Sequence, residues 1–217
     1  MKKNRTELVF ILDESGSMYG LESDTIGGFN SVIDKQKKEE GEVIVTTVLF
    51  SDRHKLVHDR FPIESVKKMT ERDYCPGGCT ALLDAMGSTM AKLENVQRNL
   101  PEDERAEHVI FTIITDGMEN ASCEYSKADI KRMVEKHTEE GWEFLFMGAN
   151  MDAIGEAATM GIRADRAVSY CADEVGTQMN FEAACCAMSE MRAMPKGMRA
   201  GARWKEKIEK RFSNDEK

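Results

Sequence analysis

No stretch of this 217-residue sequence approaches the ~20 consecutive apolar residues that a membrane-spanning helix needs. Positive charge is also in deficit. Lys and Arg number 30 against 39 Asp and Glu, a formal net charge of −9. A bulk field of that sign excludes nucleic acid and anionic membrane as electrostatic partners, and it suits a divalent cation. Neither a P-loop lysine nor G-x-G-x-x-G follows the first strand-like run, which argues against a nucleotide-binding domain. The nucleophile elbow G-x-S-x-G is missing too. Cys75 and Cys79 (CPGGC) have no second CxxC pair or histidines of the kind zinc sites use. The sequence has no internal repeat, linker or low-complexity block. The apolar run behind the basic start MKKNR is too short for the roughly 7–15-residue core of a signal peptide. The expectation is therefore a cytoplasmic protein with its six cysteines reduced.

What is present is regular alternation. TELVFIL (6–12), EVIVTTVLF (42–50), HVIFTIIT (108–115) and WEFLFMGA (142–149) are apolar runs, rich in β-branched and aromatic residues. Near-continuous runs of this kind are strands buried on both faces. KLVHDRFPI (55–63) reads as an edge strand, because Pro62 ends it, and AVSY (167–170) as a last strand. Helical patterns fill the gaps: 24–40 closing at Gly41, 81–99 before Pro101, 126–140 with Ser126 as N-cap and Gly141 as stop, 152–160, 174–194 and a basic helix over 202–212. A short helix is expected within 63–73. The pattern predicts an α/β fold: a doubly wound, mostly parallel sheet with helices on both faces and one antiparallel edge strand. The expected division is one domain over 1–195 and a basic helix with a polar tail over 196–217.

Ligands of open α/β sheets bind at the carboxyl ends of the parallel strands. The first strand is followed by Asp13-Glu14-Ser15-Gly16-Ser17, and the second by Ser51-Asp52. The strand 108–115 is followed by Asp116-Gly117 with Glu119 and Asn120 nearby, and the strand 142–149 by Asn150. A further loop, Gly77-Gly78-Cys79-Thr80, precedes a predicted helix. Nearly all these side chains are hard oxygen donors, and none is histidine. Such a set favours Mg²⁺, Mn²⁺ or Ca²⁺ over zinc or copper.

Asp13-x-Ser15-x-Ser17, Thr80 in its glycine-rich loop and Asp116-Gly117, in that order, resemble the metal-ion-dependent adhesion site (MIDAS) of von Willebrand factor type A domains. The surroundings ILDESGSM, GGCTALLDA and ITDGMEN agree, and the resemblance spans about residues 6–170. It implies Ser15, Ser17 and Thr80 as hydroxyl ligands, with Asp13 and Asp116 acting directly or through water. It also implies that Mg²⁺, or Mn²⁺ or Ca²⁺, is completed by an Asp or Glu of a partner protein. Small stand-alone members occur in bacteria and phages, often beside AAA-type ATPases or chelatases, so an accessory role to such an ATPase is a further expectation. No enzymatic activity is expected. The alternative, a metal-dependent hydrolase with Ser15 or Ser17 as nucleophile, lacks a histidine or lysine in the motif to activate the serine.

Each residue also has a structural reading. Asp13, Ser15 and Thr80 could cap helices. Asp52 could support the site or merely turn the chain. Asp84 reads as a helix cap or packing residue. Glu119 and Asn120 could meet a partner or hold their turn. His54 and His58 read as a solvated face, and Cys185 and Cys186 as core thiols. The 15 methionines read as helix-packing filler. RWKEKIEKR reads as a solvated face with Trp204 and Ile208 turned inward.

Overall fold

The computed structural model describes residues 2–195 and 201–215, with side chains over 5–195 and 201–213. In chain order the elements are β1 (Lys2–Asp13), α1 (Glu22–Gln36), β2 (Glu42–Phe50), β3 (His54–Pro62) and α2 (Leu82–Asn99). They continue with β4 (Ala106–Thr115), α3 (Lys127–Glu139), β5 (Glu143–Ala149), α4 (Ala153–Thr159), β6 (Ala167–Tyr170), α5 (Glu174–Ala193) and α6 (Glu206–Asp215). The strands form one sheet in the order β3-β2-β1-β4-β5-β6. Only the β2–β3 pairing is antiparallel. This is the α/β sheet that the alternation predicted, with its antiparallel strand at one edge.

The unbroken apolar runs follow from the two-faced sheet. Successive side chains of a strand point to opposite faces. Leu8, Phe10 and Leu12 enter one core with Phe29 and Val32 of α1, and Phe181 and Ala184 of α5. Val9 and Ile11 enter the other with Leu82 and Met86 of α2, Ile130 and Val134 of α3, and Ala153 of α4. β5 divides likewise: Leu145 and Met147 face the first core, Phe144 and Phe146 the second.

Local signals set the helix ends. Ser126 accepts from the backbone of Asp129 and Asp129 accepts from the backbone of Ser126, so α3 opens on a reciprocal capping box. Gly141 ends that helix region at φ 93°. α1 stops at Gln36, short of the expected 40, and turns carry the chain to Gly41. The expected short helix in 63–73 is a single 3₁₀ turn, Ile63–Ser65.

Two side-chain readings are corrected. His58 is buried, not solvated: it stacks on Phe29 with ring centroids 6.2 Å apart and meets Phe61 edge-on. Burial pushes its pKa down. His54 is exposed, and its ring contacts the Ser88 hydroxyl at 3.2 Å. Cys185 is a core thiol, but Cys186 faces solvent, since neighbours on a helix lie about 100° apart.

The expected boundary at 195/196 falls at residues 196–200, which lie outside the described residues. Beyond them, Trp204 and Ile208 are buried in the same core as α1 and α5. Lys205 is buried with them, and its ammonium donates to the carbonyls of Ala164 and Ala167 at 2.7 and 3.0 Å.

Candidate metal centre

The carboxyl ends of β1 and β4 adjoin in the sheet, and each carries one motif aspartate just inside or past its last residue. Asp13 ends β1. Its Oδ1 accepts from the Ser15 backbone N–H at 2.7 Å, which turns the chain into the 3₁₀ turn Gly16–Met18. That turn brings the Ser15 and Ser17 hydroxyls within 3.0 Å of each other. Asp13 Oδ2 accepts from the Thr115 hydroxyl of β4 at 2.6 Å. The capping alternative is not what these residues do. The Ser15 side chain does not cap the 3₁₀ turn that follows it, and the first-turn N–H groups of α2 donate to Glu119 and Ser122, not to Thr80.

Backbone bonds fasten the glycine-rich loop to the serine turn. Gly16 N–H donates to Gly78 C=O at 3.0 Å, and Gly77 N–H to Glu14 C=O at 2.8 Å. Tyr74 donates its hydroxyl to Asp13 C=O at 2.6 Å. Gly78 adopts φ +79°, and a Cβ there would sit 2.6 Å from Asp52 Oδ2, so the position excludes a side chain twice over. Asp52 Oδ1 accepts from the Cys79 N–H at 2.6 Å. Asp52 therefore holds the loop that presents Thr80.

The loop after β4 is held to the same body. Asn120 is bonded to Thr80 in both directions: its Oδ1 accepts from Thr80 N–H at 2.9 Å, and its N–H donates to Thr80 C=O at 3.0 Å. Glu119 accepts from the N–H groups of Leu83, Ala121 and Ser122. Both residues hold the turn. Asp84 is a clasp rather than a cap of its own helix, and accepts from the N–H groups of Cys123, Glu124 and Tyr125 at 2.8–2.9 Å.

The convergence is clearest at Gly117. A Cβ there would meet Thr80 Oγ1 at 2.6 Å, Ser17 Oγ at 3.3 Å and Asp13 Oδ2 at 3.4 Å. Oxygens from two separate loops thus gather around the bare backbone position of a third. Ser15 joins through Ser17, and Asp116 is adjacent in the chain. All five sequence-predicted residues are brought to one end of the sheet. Asp116 Oδ1 is buried and has no hydrogen-bond partner. Tyr170, at the end of β6, is buried with its hydroxyl unpaired.

Electrostatics point the same way. Burial pushes the Asp13 carboxyl up; bonds from Ser15 and Thr115 act against the shift, and the Asp116 charge adds to it. Burial also raises Asp116, with the Ser17 hydroxyl acting against it. Burial raises the Tyr170 phenol, and both aspartates add to that shift. Carboxylates so placed mark a point where positive charge is stabilised. An orphaned carboxylate oxygen beside clustered hydroxyls fits a hard divalent cation. Among the described residues, no group of three or more His, Cys, Asp or Glu side chains is placed to hold a metal, so any cation here relies on hydroxyls.

The sequence signal missed Thr115 and Tyr170, and gave Gly117 no role beyond its place in the motif. Thr115 reads only as a strand residue. Gly117 is part of the DG pair, but its closeness to Thr80 is a tertiary fact. Tyr170 could have been found as the phenol at the carboxyl end of the strand AVSY.

No protein-family model matches the sequence, and no curated protein matches it. Solved structures do. The von Willebrand factor domain of the type V pilus tip protein Mfa5 from Porphyromonas gingivalis superposes with a TM-score of 0.62 at 9% identity, covering 91% of this chain and 99% of that one. Manganese-loaded Plasmodium vivax TRAP protein gives 0.56 at 17% identity, covering 83% and 74%. Proximal thread matrix protein 1 of the mussel byssus, with a zinc-occupied MIDAS motif, gives 0.58 at 17% identity. The match covers 85% of this chain but spans only 46% of the mussel protein. At these identities the likeness speaks to architecture, and the chain has the von Willebrand factor type A fold.

Proposed function

We propose that this protein is a divalent-metal-dependent protein-binding module whose cation is completed by an acidic residue of a partner protein. The observation that carries the reading is the gathering of Asp13, Ser17 and Thr80 oxygens about Gly117, beside the orphaned oxygen of Asp116. Ser15, Ser17 and Thr80 would supply neutral hydroxyls; Asp13 and Asp116 would bind directly or through water. When bound, the ion supplies a strong field for an outside carboxylate, because hydroxyl ligands neutralise little of its charge. Thr115 orients Asp13, and Asn120 and Asp52 fix the Thr80 loop, so the donors are held in place before an ion arrives.

Mg²⁺ is the ion this oxygen set suits, with Mn²⁺ and Ca²⁺ as alternatives. Manganese in the TRAP protein and zinc in the mussel protein support divalent binding on this fold in those proteins. The partner reading accommodates an AAA-type ATPase subunit, and a cytoplasmic setting. The hydrolase alternative has no support in the serines' surroundings: their side-chain partners are each other and the acidic groups beside them.

Calorimetry with Mg²⁺, Mn²⁺ and Ca²⁺ tests the site, followed by capture from extract on immobilised protein with and without chelator. The expected result is uptake by wild type and not by Asp116→Ala, with a partner lost in both Asp116→Ala and chelator. No uptake of any of the three ions overturns the reading. Turnover of generic ester or phosphate substrates that disappears in Ser15→Ala or Ser17→Ala would replace it with the hydrolase.

A further inference from the structure

Large exposed apolar side chains are unevenly placed on this molecule. Six stand out among the described residues: Tyr19, Leu56, Phe61, Met118, Ile154 and Val175. Leu56 and Phe61 belong to the edge strand β3. The other four each follow the carboxyl end of a different parallel strand: Tyr19 after β1, Met118 after β4, Ile154 after β5 and Val175 after β6. Tyr19 and Met118 are the most exposed, at 67% and 70%. Each lies two residues past a candidate ligand, Ser17 and Asp116. Single exposed apolar residues need no explanation, but their concentration around one site does.

A groove of about 760 Å³ opens beside Tyr19, and Ser17, Asp116 and Asn150 are also among its lining residues. Asp24 and Glu174, in the first turns of α1 and α5, also line it. Asp173 lines it too, but this carboxylate caps Gly176 and pairs with Arg211 at 2.7 Å. Among the described residues, Asp24 and Glu174 have no basic partner.

Resting on the metal reading above, we propose that this groove is the partner's footprint. It takes an extended segment that carries a Lys or Arg and a large apolar residue close to the acidic residue that meets the ion. Charge decides the occupant. A lone carboxylate approaching Asp116 also approaches Asp24 and Glu174, which repel it. A neighbouring cation on the same segment turns that repulsion into attraction and sets the segment's direction along the groove. Tyr19 offers its ring beside the site for the apolar residue. The groove is continuous with the metal centre, since Ser17 and Asp116 line both.

The test is an array of capped nonapeptides with a central Glu, flanked by combinations of Leu, Lys, Arg, Ser and Asp. It is probed with the full chain in Mg²⁺ and in EDTA. Capture is expected to need Mg²⁺ and to favour peptides with both a basic and an apolar flank. The double variant Asp24→Lys/Glu174→Lys should keep Mg²⁺ uptake, weaken those peptides roughly tenfold, the scale of two exposed charge contacts, and favour acidic flanks instead. Asp24→Asn/Glu174→Gln should fall between, and Tyr19→Ser should lose the apolar preference. Mg²⁺-dependent capture indifferent to flanks and to these variants overturns the footprint while the metal reading stands. Mg²⁺ uptake without capture of any peptide overturns the footprint as well. Capture indifferent to EDTA overturns the metal reading, and this inference with it.

Discussion

The Thr115 hydroxyl donates a 2.6 Å hydrogen bond to Asp13 Oδ2 across two neighbouring strands. It fixes which way the carboxylate faces before any ion arrives. Thr115→Val keeps the shape and removes the donor. Removing a group that orients a metal ligand costs about 10–100-fold in metal affinity. Calorimetry with Mn²⁺ should show that loss in Thr115→Val and recovery in Thr115→Ser. Equal affinity in all three would mean that Thr115 does not position Asp13 for the ion.

Gly117 offers a second check that leaves every candidate ligand intact. A single methyl group at this position would stand 2.6 Å from Thr80 Oγ1. Gly117→Ala should therefore abolish the thermal stabilisation given by Mg²⁺ or Mn²⁺. Overpacking of this kind costs about 1–3 kcal/mol, so the metal-free variant should still fold. A full metal-induced shift of Tm in Gly117→Ala would count decisively against the site.

In the middle of β1, Glu7 is buried and bound by Arg60 at 2.6 Å and by Gln97 at 3.1 Å. Burial holds its carboxyl above the ordinary value of 4.5, against the pull of Arg60. A raised carboxyl means that the folded chain keeps this proton to higher pH than the unfolded chain does. The contribution of Glu7 is therefore fully present below about 4.5 and lost as pH rises through the raised value. Arg60→Met removes the main compensating charge. It should cost about 3 kcal/mol at pH 7, where Glu7 must either stay charged without Arg60 or take up a proton, and distinctly less at pH 4. Urea titrations at the two pH values measure this. A deficit independent of pH would show that Arg60 acts through the packing of its side chain and not through the charge of Glu7.

Trp204, in the C-terminal segment, is buried in the α1–α5 core, and its indole N–H reaches Asp165 C=O at 3.3 Å. Trp204→Ala should lower unfolding free energy by about 3–5 kcal/mol. Guanidinium unfolding followed at the remaining Trp142 would show it. A loss below about 1 kcal/mol would mean that the terminal segment only rests on the surface.

Much of this was legible in the sequence because it is local. LVFIL alternates its faces between two cores, and Ser126 and Gly141 carry the chemistry of a helix start and stop. The motif residues were legible as a set because each follows a strand end, and parallel strand ends meet along one edge. What escaped was tertiary. His58 reads as polar until Phe29 is seen against it. Asn120 and Asp84 read as turn and helix residues until their partners, some 40 positions away, are placed. The role of Thr115 needs a strand 102 residues distant. The inward position of Trp204 was readable from its helical spacing with Ile208, but the core it joins was not.

The loops around the candidate centre are tied largely through their main chains: Gly16 to Gly78, Gly77 to Glu14, Asn120 to Thr80. Amide and carbonyl groups are common to every residue type, so such ties do not inspect the side chains they join. Drift in these loops is thereby tolerated where a side chain takes no part. It is excluded where a methyl would collide, at Gly78 and Gly117, or where a side chain holds the loop or the site, at Tyr74, Thr80, Asp116, Glu119 and Asn120. Mutational scanning of residues 74–80 and 116–121 should accordingly return intolerant columns at those positions and tolerant ones between them, as at Cys75, Pro76 and Ala121.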